Sequence, residues 1–347
     1  MEKIFVRLTL LCTVVLSLWI TLFCNVGFIK SENRAANEFS FSSPDGYFTD
    51  RFPYREKLMK LNRDLSLALL KNEFAGAFFG RDDYIFSSEN TNAAVLQKNL
   101  SAAERFGAPI CIIPSKTDAL INKLPKNYES NRAKLWQCAA QSKLYLPDVF
   151  STLRLEGANG KYIYYRGDHH LTSLGSYYLY KSLAVPLEYK AYTAKDFSVS
   201  VVKSDFSGTD ARKMLTETND KISLFRFNGD GSFVTENLDT GEKFNGFYSY
   251  DMLNSFDPYG VFPIANAGRA KISLSGESRE KLLLICDSYG DSLAPFLARH
   301  FDIDMVDVRY FGGSVQELIK DNNYSKILLC FGMDTIASIE ILYKLML

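Results

Sequence analysis

The sequence predicts an α/β fold built on a mostly parallel sheet, preceded by a membrane-spanning segment. Three observations carry that expectation. Apolar runs of buried-strand type alternate with helical stretches: Ala108–Ile113, Leu282–Cys286, Ile303–Val308 and Lys326–Phe331. Hydrophobic residues make up 47% and aromatic residues 14% of a 347-residue chain, enough to fill a substantial core. Leu8 to Ile29 carries no charge over about the 20 residues needed to cross a bilayer.

Taken in order, Met1 to Arg7 is a short flank with two basic residues, Lys3 and Arg7, which places it on the cytoplasmic side. The apolar run is longer than a typical signal core, and no small-x-small cleavage site follows it. It is read as an uncleaved anchor over residues 1–30, with secretion after signal cleavage as the alternative. Residues 31–75 comprise a polar tether and a packing helix, Tyr54 to Lys71, whose Leu58, Leu61, Leu65 and Leu69 recur at helical spacing. A globular domain over 76–347 then opens with a hairpin across Gly76–Phe86. Helices are expected at Thr91–Phe106, Thr117–Leu124, Asn131–Gln141 and Ser173–Ala184. Strands are expected at Lys143–Leu146 and Tyr162–Tyr165. Residues 189–278 break the alternation with turn-rich, short alternating runs and read as an insertion that roofs the site. Its Tyr189, Phe225, Phe227, Phe244 and Tyr248 offer flat faces to a ligand, or else belong to the core.

Lys+Arg and Asp+Glu are balanced at 40 each, so no basic excess points to nucleic acid. The six cysteines show no zinc-type spacing and are expected as free thiols.

Two motifs carry chemistry. Arg166-Gly-Asp-His-His-Leu-Thr-Ser-Leu-Gly175 holds two of the three histidines. In extended backbone, residues two apart share a side, so Asp168 can orient His170 while His169 points the other way. This is the acid-and-base half of a nucleophilic triad. Ile285-Cys-Asp-Ser-Tyr-Gly290 sets Ser288 between a strand and a helix, where its hydroxyl is exposed and nearby N–H groups can bind an oxyanion. An Asp-His-His cluster also suits a metal, but no further ligand motif accompanies it, so neither metal nor cofactor is expected.

These motifs resemble the DHHW family of bacterial extracytoplasmic proteins. Glu32-Asn-Arg34, Asp50, Phe52, Pro53 and Arg55, Pro114-Ser-Lys116, Asp168-His-His170, Phe206-Ser-Gly-Thr209 and Asp287-Ser-Tyr289 fall in that family's order. Leu171 stands where the family motif has tryptophan, Cys286 where many relatives have glycine, and Ala265-Asn266 where a Gly-Asn pair is usual. The resemblance implies an SGNH-hydrolase-like three-layer sandwich, circularly permuted, and a relation to the polysaccharide O-acetyltransferases of the alginate and acetylated-cellulose systems. It implies Asp168, His170 and Ser288 as the triad, with a polysaccharide acceptor and a membrane-bound O-acyltransferase supplying acetyl groups. Tyr289, Asn266, Lys116 and Arg309 are the remaining candidates for substrate or oxyanion contacts. A carbohydrate acetylesterase and a non-catalytic glycan-binding protein are the alternative readings.

Overall fold

Seven strands form the main sheet of the computed structural model, which describes residues 2–347 apart from 33, 70, 72, 89, 127, 129–131 and 264–266. They are β1 (Ile110–Ile113), β2 (Phe233–Asn237), β3 (Lys243–Asn245), β4 (Arg269–Leu274), β5 (Lys281–Cys286), β6 (Asp302–Val306) and β7 (Lys326–Gly332). Their spatial order is β1-β7-β5-β6-β4-β2-β3. The first four neighbours in that order run parallel, and β4, β2 and β3 continue the sheet antiparallel. The stretch expected as an insertion therefore supplies three strands to the main sheet. Its separate part is a hairpin of Ser198–Phe206 with Asp220–Arg226.

Side-chain alternation along β5 explains the layering. Leu282, Leu284 and Cys286 enter one core, and Leu283 and Ile285 enter the other. Both faces are buried, which is why the run reads as continuously apolar. Helices Asp148–Ala158, Ser173–Ser182 and Tyr289–Leu297 cover the first face. Helices Ala93–Phe106, Ala133–Ala139 and Val315–Asp321 cover the second.

Several elements depart from expectation. Lys143–Leu146 and Tyr162–Tyr165 form single backbone bridges, Ile110 with Tyr145 and Tyr164 with Leu171, instead of strands. Burial drives the second case. Tyr164 and Tyr165 are fully buried, and their stretch packs as core without a continuous strand partner. The N-terminal helix spans Glu2–Phe23 and is apolar enough over Ile4–Thr21 to cross a membrane, a test that a signal sequence also passes. It stops short of Ile29 because Phe28–Ile29 pairs with Arg34–Ala35. The helix of the tether forms over Arg55–Ala68, but Leu58, Leu61, Leu65 and Leu69 face outward and do not pack. The landmarks around it form an ion-pair network. Arg34 forks onto Asp50 at 2.8 and 2.7 Å, and Arg55 pairs with Glu32. Asp50 also accepts the Asn37 N–H, and these donors outweigh its burial and hold its carboxyl down at about 2.

Candidate active site

The cleft lies at the carboxyl ends of the parallel strands, where open α/β sheets commonly place their ligands. Its floor is the junction between β5 and the helix Tyr289–Leu297. Ser288 is the N-cap of that helix, yet its hydroxyl makes no capping bond. The hydroxyl lies instead 2.8 Å from His170 Nε2. On the far side of the imidazole, Nδ1 is 2.6 Å from Asp168 Oδ1. Asp168, His170 and Ser288 thus meet although Ser288 is 118 residues from His170 in the chain.

The acid and the histidine come together by a different route from the one the sequence motif indicates. Residues 166–170 are a series of bends with no strand geometry. Asp168 Oδ1 accepts the backbone N–H of His170 at 2.9 Å, the local turn that aspartate favours, and the same oxygen meets the ring. Oδ2 accepts the Thr209 N–H at 2.8 Å. Burial works against the Asp168 charge, but His170, His169 and the Thr209 N–H prevail and hold the carboxyl well below its usual range. Gly208 lies so close that a Cβ there would sit 2.1 Å from Asp168 Oδ2, which accounts for the glycine in Phe206-Ser-Gly-Thr209.

The bends are held from two sides. Lys116 Nζ donates to the carbonyls of Tyr165, Arg166 and Asp168 at 3.2, 3.0 and 2.8 Å, and to Asp210 at 2.7 Å. Asp220 accepts the N–H groups of Arg166 and Gly167 at 3.1 and 2.8 Å. Lys116 is 3% exposed and lines no part of the cleft, so its expected substrate contact is corrected to support of the loop. Tyr289 is corrected in the same way: its hydroxyl donates to the His169 carbonyl at 2.9 Å, and its ring is buried. Arg309 does line the cleft, beside Tyr310, with its guanidinium forked onto Asp307. Asn266 lies outside the described residues.

His169 does not turn away as expected. Its ring centroid is 3.9 Å from that of His170, and it lines the same cleft. The bends explain this, since the two-residue alternation of a strand does not apply. Asp168, His169 and His170 hold one ligand atom each within 4.8 Å of one another. Both His170 nitrogens are already engaged, so a cation there would compete with Asp168 and Ser288 for the ring.

Motif reading missed Tyr259. Its ring stacks on His170 at 3.9 Å and 12°, and its hydroxyl reaches Ser292 at 3.1 Å. It stands on the single turn Pro258–Val261, and no local pattern marks it. Four of the aromatics expected either to face a ligand or to belong to the core take the second role. Phe225 and Tyr248 are buried in the core, Tyr189 and Phe227 pack against it, and none of the five lines the cleft.

The sequence pattern of the family described as DHHW protein matches residues 82–307. No curated protein sequence matches the chain. Among solved structures, a DHHW family protein from Eubacterium siraeum superposes with a TM-score of 0.63 at 19% identity, over 78% of this chain and 95% of that one. Bacillus cereus PatB1 with a sulfonyl adduct gives 0.64 at 15% identity, over 77% of this chain and 98% of that one. The O-acetyltransferase domain of Pseudomonas putida AlgJ gives 0.47 at 14% identity, over 76% and 93%. At such identities the likeness is one of fold.

Proposed function

The chain belongs to the DHHW family, and from that premise we propose that it is an extracytoplasmic polysaccharide O-acetyltransferase with a permuted SGNH-hydrolase-like catalytic domain. The observation that carries this reading is the continuous pair of short contacts from Asp168 through His170 to the Ser288 hydroxyl, opening onto a cleft.

In the proposed cycle Ser288 Oγ attacks the carbonyl carbon of an acetyl ester as His170 Nε2 takes its proton. Asp168 fixes the tautomer that leaves Nε2 free and stabilises the imidazolium. The Ser288 N–H is the oxyanion donor. The carbon–oxygen bond to the donor breaks, and the departing oxygen takes the proton from His170. A glycan hydroxyl then gives its proton to His170 and attacks the acyl carbon. Ser288 leaves and recovers the proton. Tyr259, flat against the imidazole, limits its rotation and keeps water from one face. The apolar N-terminal helix supports tethering at the outer side of the cytoplasmic membrane, near a membrane-bound O-acyltransferase that supplies acetyl groups.

The test is covalent labelling followed by product partition. A sulfonyl fluoride should add one group to the protein, and Ser288→Ala and His170→Ala should each abolish that adduct. With an activated acetyl ester and an oligosaccharide present, acetylated sugar should exceed free acetate. An adduct that persists in both variants rejects the triad. Acetate alone, across neutral and acidic acceptors, turns the reading to an esterase.

A further inference from the structure

One acid of the cleft has no part in that cycle. Asp291 follows Ser288 by one helical turn, is 7% exposed and lines the cleft. An acid at the third position of a helix commonly reaches back to the N–H groups at the helix start. Asp291 does not, and among the described residues its carboxyl has no hydrogen-bond or ion-pair partner.

The neighbours cannot supply one. Asp287 is satisfied by the Gly332 N–H at 2.9 Å, the Thr335 hydroxyl at 2.7 Å and the Tyr289 N–H at 3.1 Å. The Arg309 guanidinium is spent on Asp307, with contacts of 3.0, 3.0 and 2.6 Å. Asp287 and Asp291 therefore feel only the charge of a guanidinium already paired with Asp307. Burial, and then the charge of Asp307, raises the Asp291 carboxyl well above its usual range, with Arg309 opposing and Asp287 adding to the rise. Facing the cleft with no partner among the described residues, the carboxyl is free to bond a ligand there.

We propose that Asp291 is a specificity residue whose carboxyl hydrogen-bonds to an uncharged sugar in the acceptor, and that the acidic side chains around it turn away sugars bearing a carboxylate. The inference rests on the acyl-transfer reading above. The cleft has a volume of about 190 Å³ and opens to solvent beside Ser288, which leaves room for a sugar ring at its mouth. Repulsion between an acceptor carboxylate and Asp307 or Asp287 supplies the discrimination, since like charges in a low-dielectric site disfavour the wrong partner.

The experiment compares cellotetraose with tetragalacturonate as acceptors for the full chain, with p-nitrophenyl acetate as donor. Wild-type protein should prefer the neutral tetramer by at least about tenfold in kcat/KM. Asp291→Ala should raise the acceptor KM about tenfold with kcat nearly unchanged, because one hydrogen bond is lost. Asp291→Asn keeps a hydrogen-bonding side chain of the same size and should stay within about threefold of wild type. Sulfonyl labelling of Ser288 should be the same in all three. Equal use of both tetramers, an unchanged KM in Asp291→Ala, or an Asn variant as impaired as the Ala variant overturns the proposal. Labelling without transfer to either tetramer also rejects it while leaving the acyl-enzyme standing. Absence of labelling in wild type instead strikes the reading beneath it. Should Asp291→Ala fail to fold, the Asn variant and the wild-type preference still decide.

Discussion

The two arms of the cleft are positioned by different physics. The serine arm is the end of a central strand. Ser288 follows β5, which is hydrogen-bonded on both edges to parallel neighbours, and its Leu283, Leu284 and Ile285 are fully buried. The histidine arm is a run of bends outside any sheet, joined to a strand only where the Ile85 N–H donates to the Arg166 carbonyl at 2.9 Å. It is fixed by a few polar groups, namely Lys116 on its carbonyls, Asp220 on its N–H groups and Thr209 on the Asp168 carboxylate. A strand end inherits its precision from the whole sheet. An irregular loop has to obtain it from individual buried contacts, each of which can be removed alone. Sensitivity to mutation should therefore be spread thinly over the serine arm and concentrated on the histidine arm.

The sharpest way to break this contrast is Lys116→Ala. It leaves Asp210 buried without its cation and the Tyr165 and Asp168 carbonyls without the Lys116 donor, while Arg166 keeps the Ile85 N–H. Loss of one partner of a buried pair costs about 3–5 kcal/mol, so thermal denaturation should show a large loss of stability. Where the variant folds, sulfonyl labelling should fall by about 100-fold. Full labelling would mean that the loop holds its shape without Lys116.

Next in size is Leu284→Ala on β5, whose side chain is fully buried. A cavity there should cost about 2–5 kcal/mol, yet below the melting transition labelling should stay near the wild-type rate. A stability loss coupled to an equal loss of labelling would show that the sheet does not buffer the serine.

The smallest effect should come from Tyr289→Phe. This removes one hydrogen bond, from the ring hydroxyl to the His169 carbonyl. A loss of about 0.5–1.5 kcal/mol is expected, together with a severalfold drop in labelling and no change in the folded secondary structure by circular dichroism. Because Tyr289 belongs in sequence to the serine arm but bonds to the histidine arm, a larger effect would mean that the two arms are coupled through it.

The sequence by itself determined the α/β class and most of the strand and helix positions, and it singled out Asp168, His170 and Ser288, whose side chains the fold brings into contact. Those features are written in local patterns. Continuous apolar runs mark strands buried on both faces, a serine follows such a run, and an aspartate stands two residues before a histidine. Tertiary structure alone decided the rest. Lys116 reads as a cleft residue until its Nζ is seen to end on the Tyr165, Arg166 and Asp168 carbonyls. His169 reads as turned away until its stretch proves to be bent, which removes the alternation on which that reading depended. Tyr259 and Gly208 carry no signal of their own, because stacking on His170 and close approach to Asp168 exist only after distant segments have packed. The turn-rich stretch 189–278 reads as an appendage because β2, β3 and β4 are short and antiparallel, and β4 joins the sheet only by pairing with β6. Local periodicity reports what a segment buries. It does not report which distant group supplies the partner, since hydrogen bonds and ring contacts across the fold are chosen by geometry that no single segment contains.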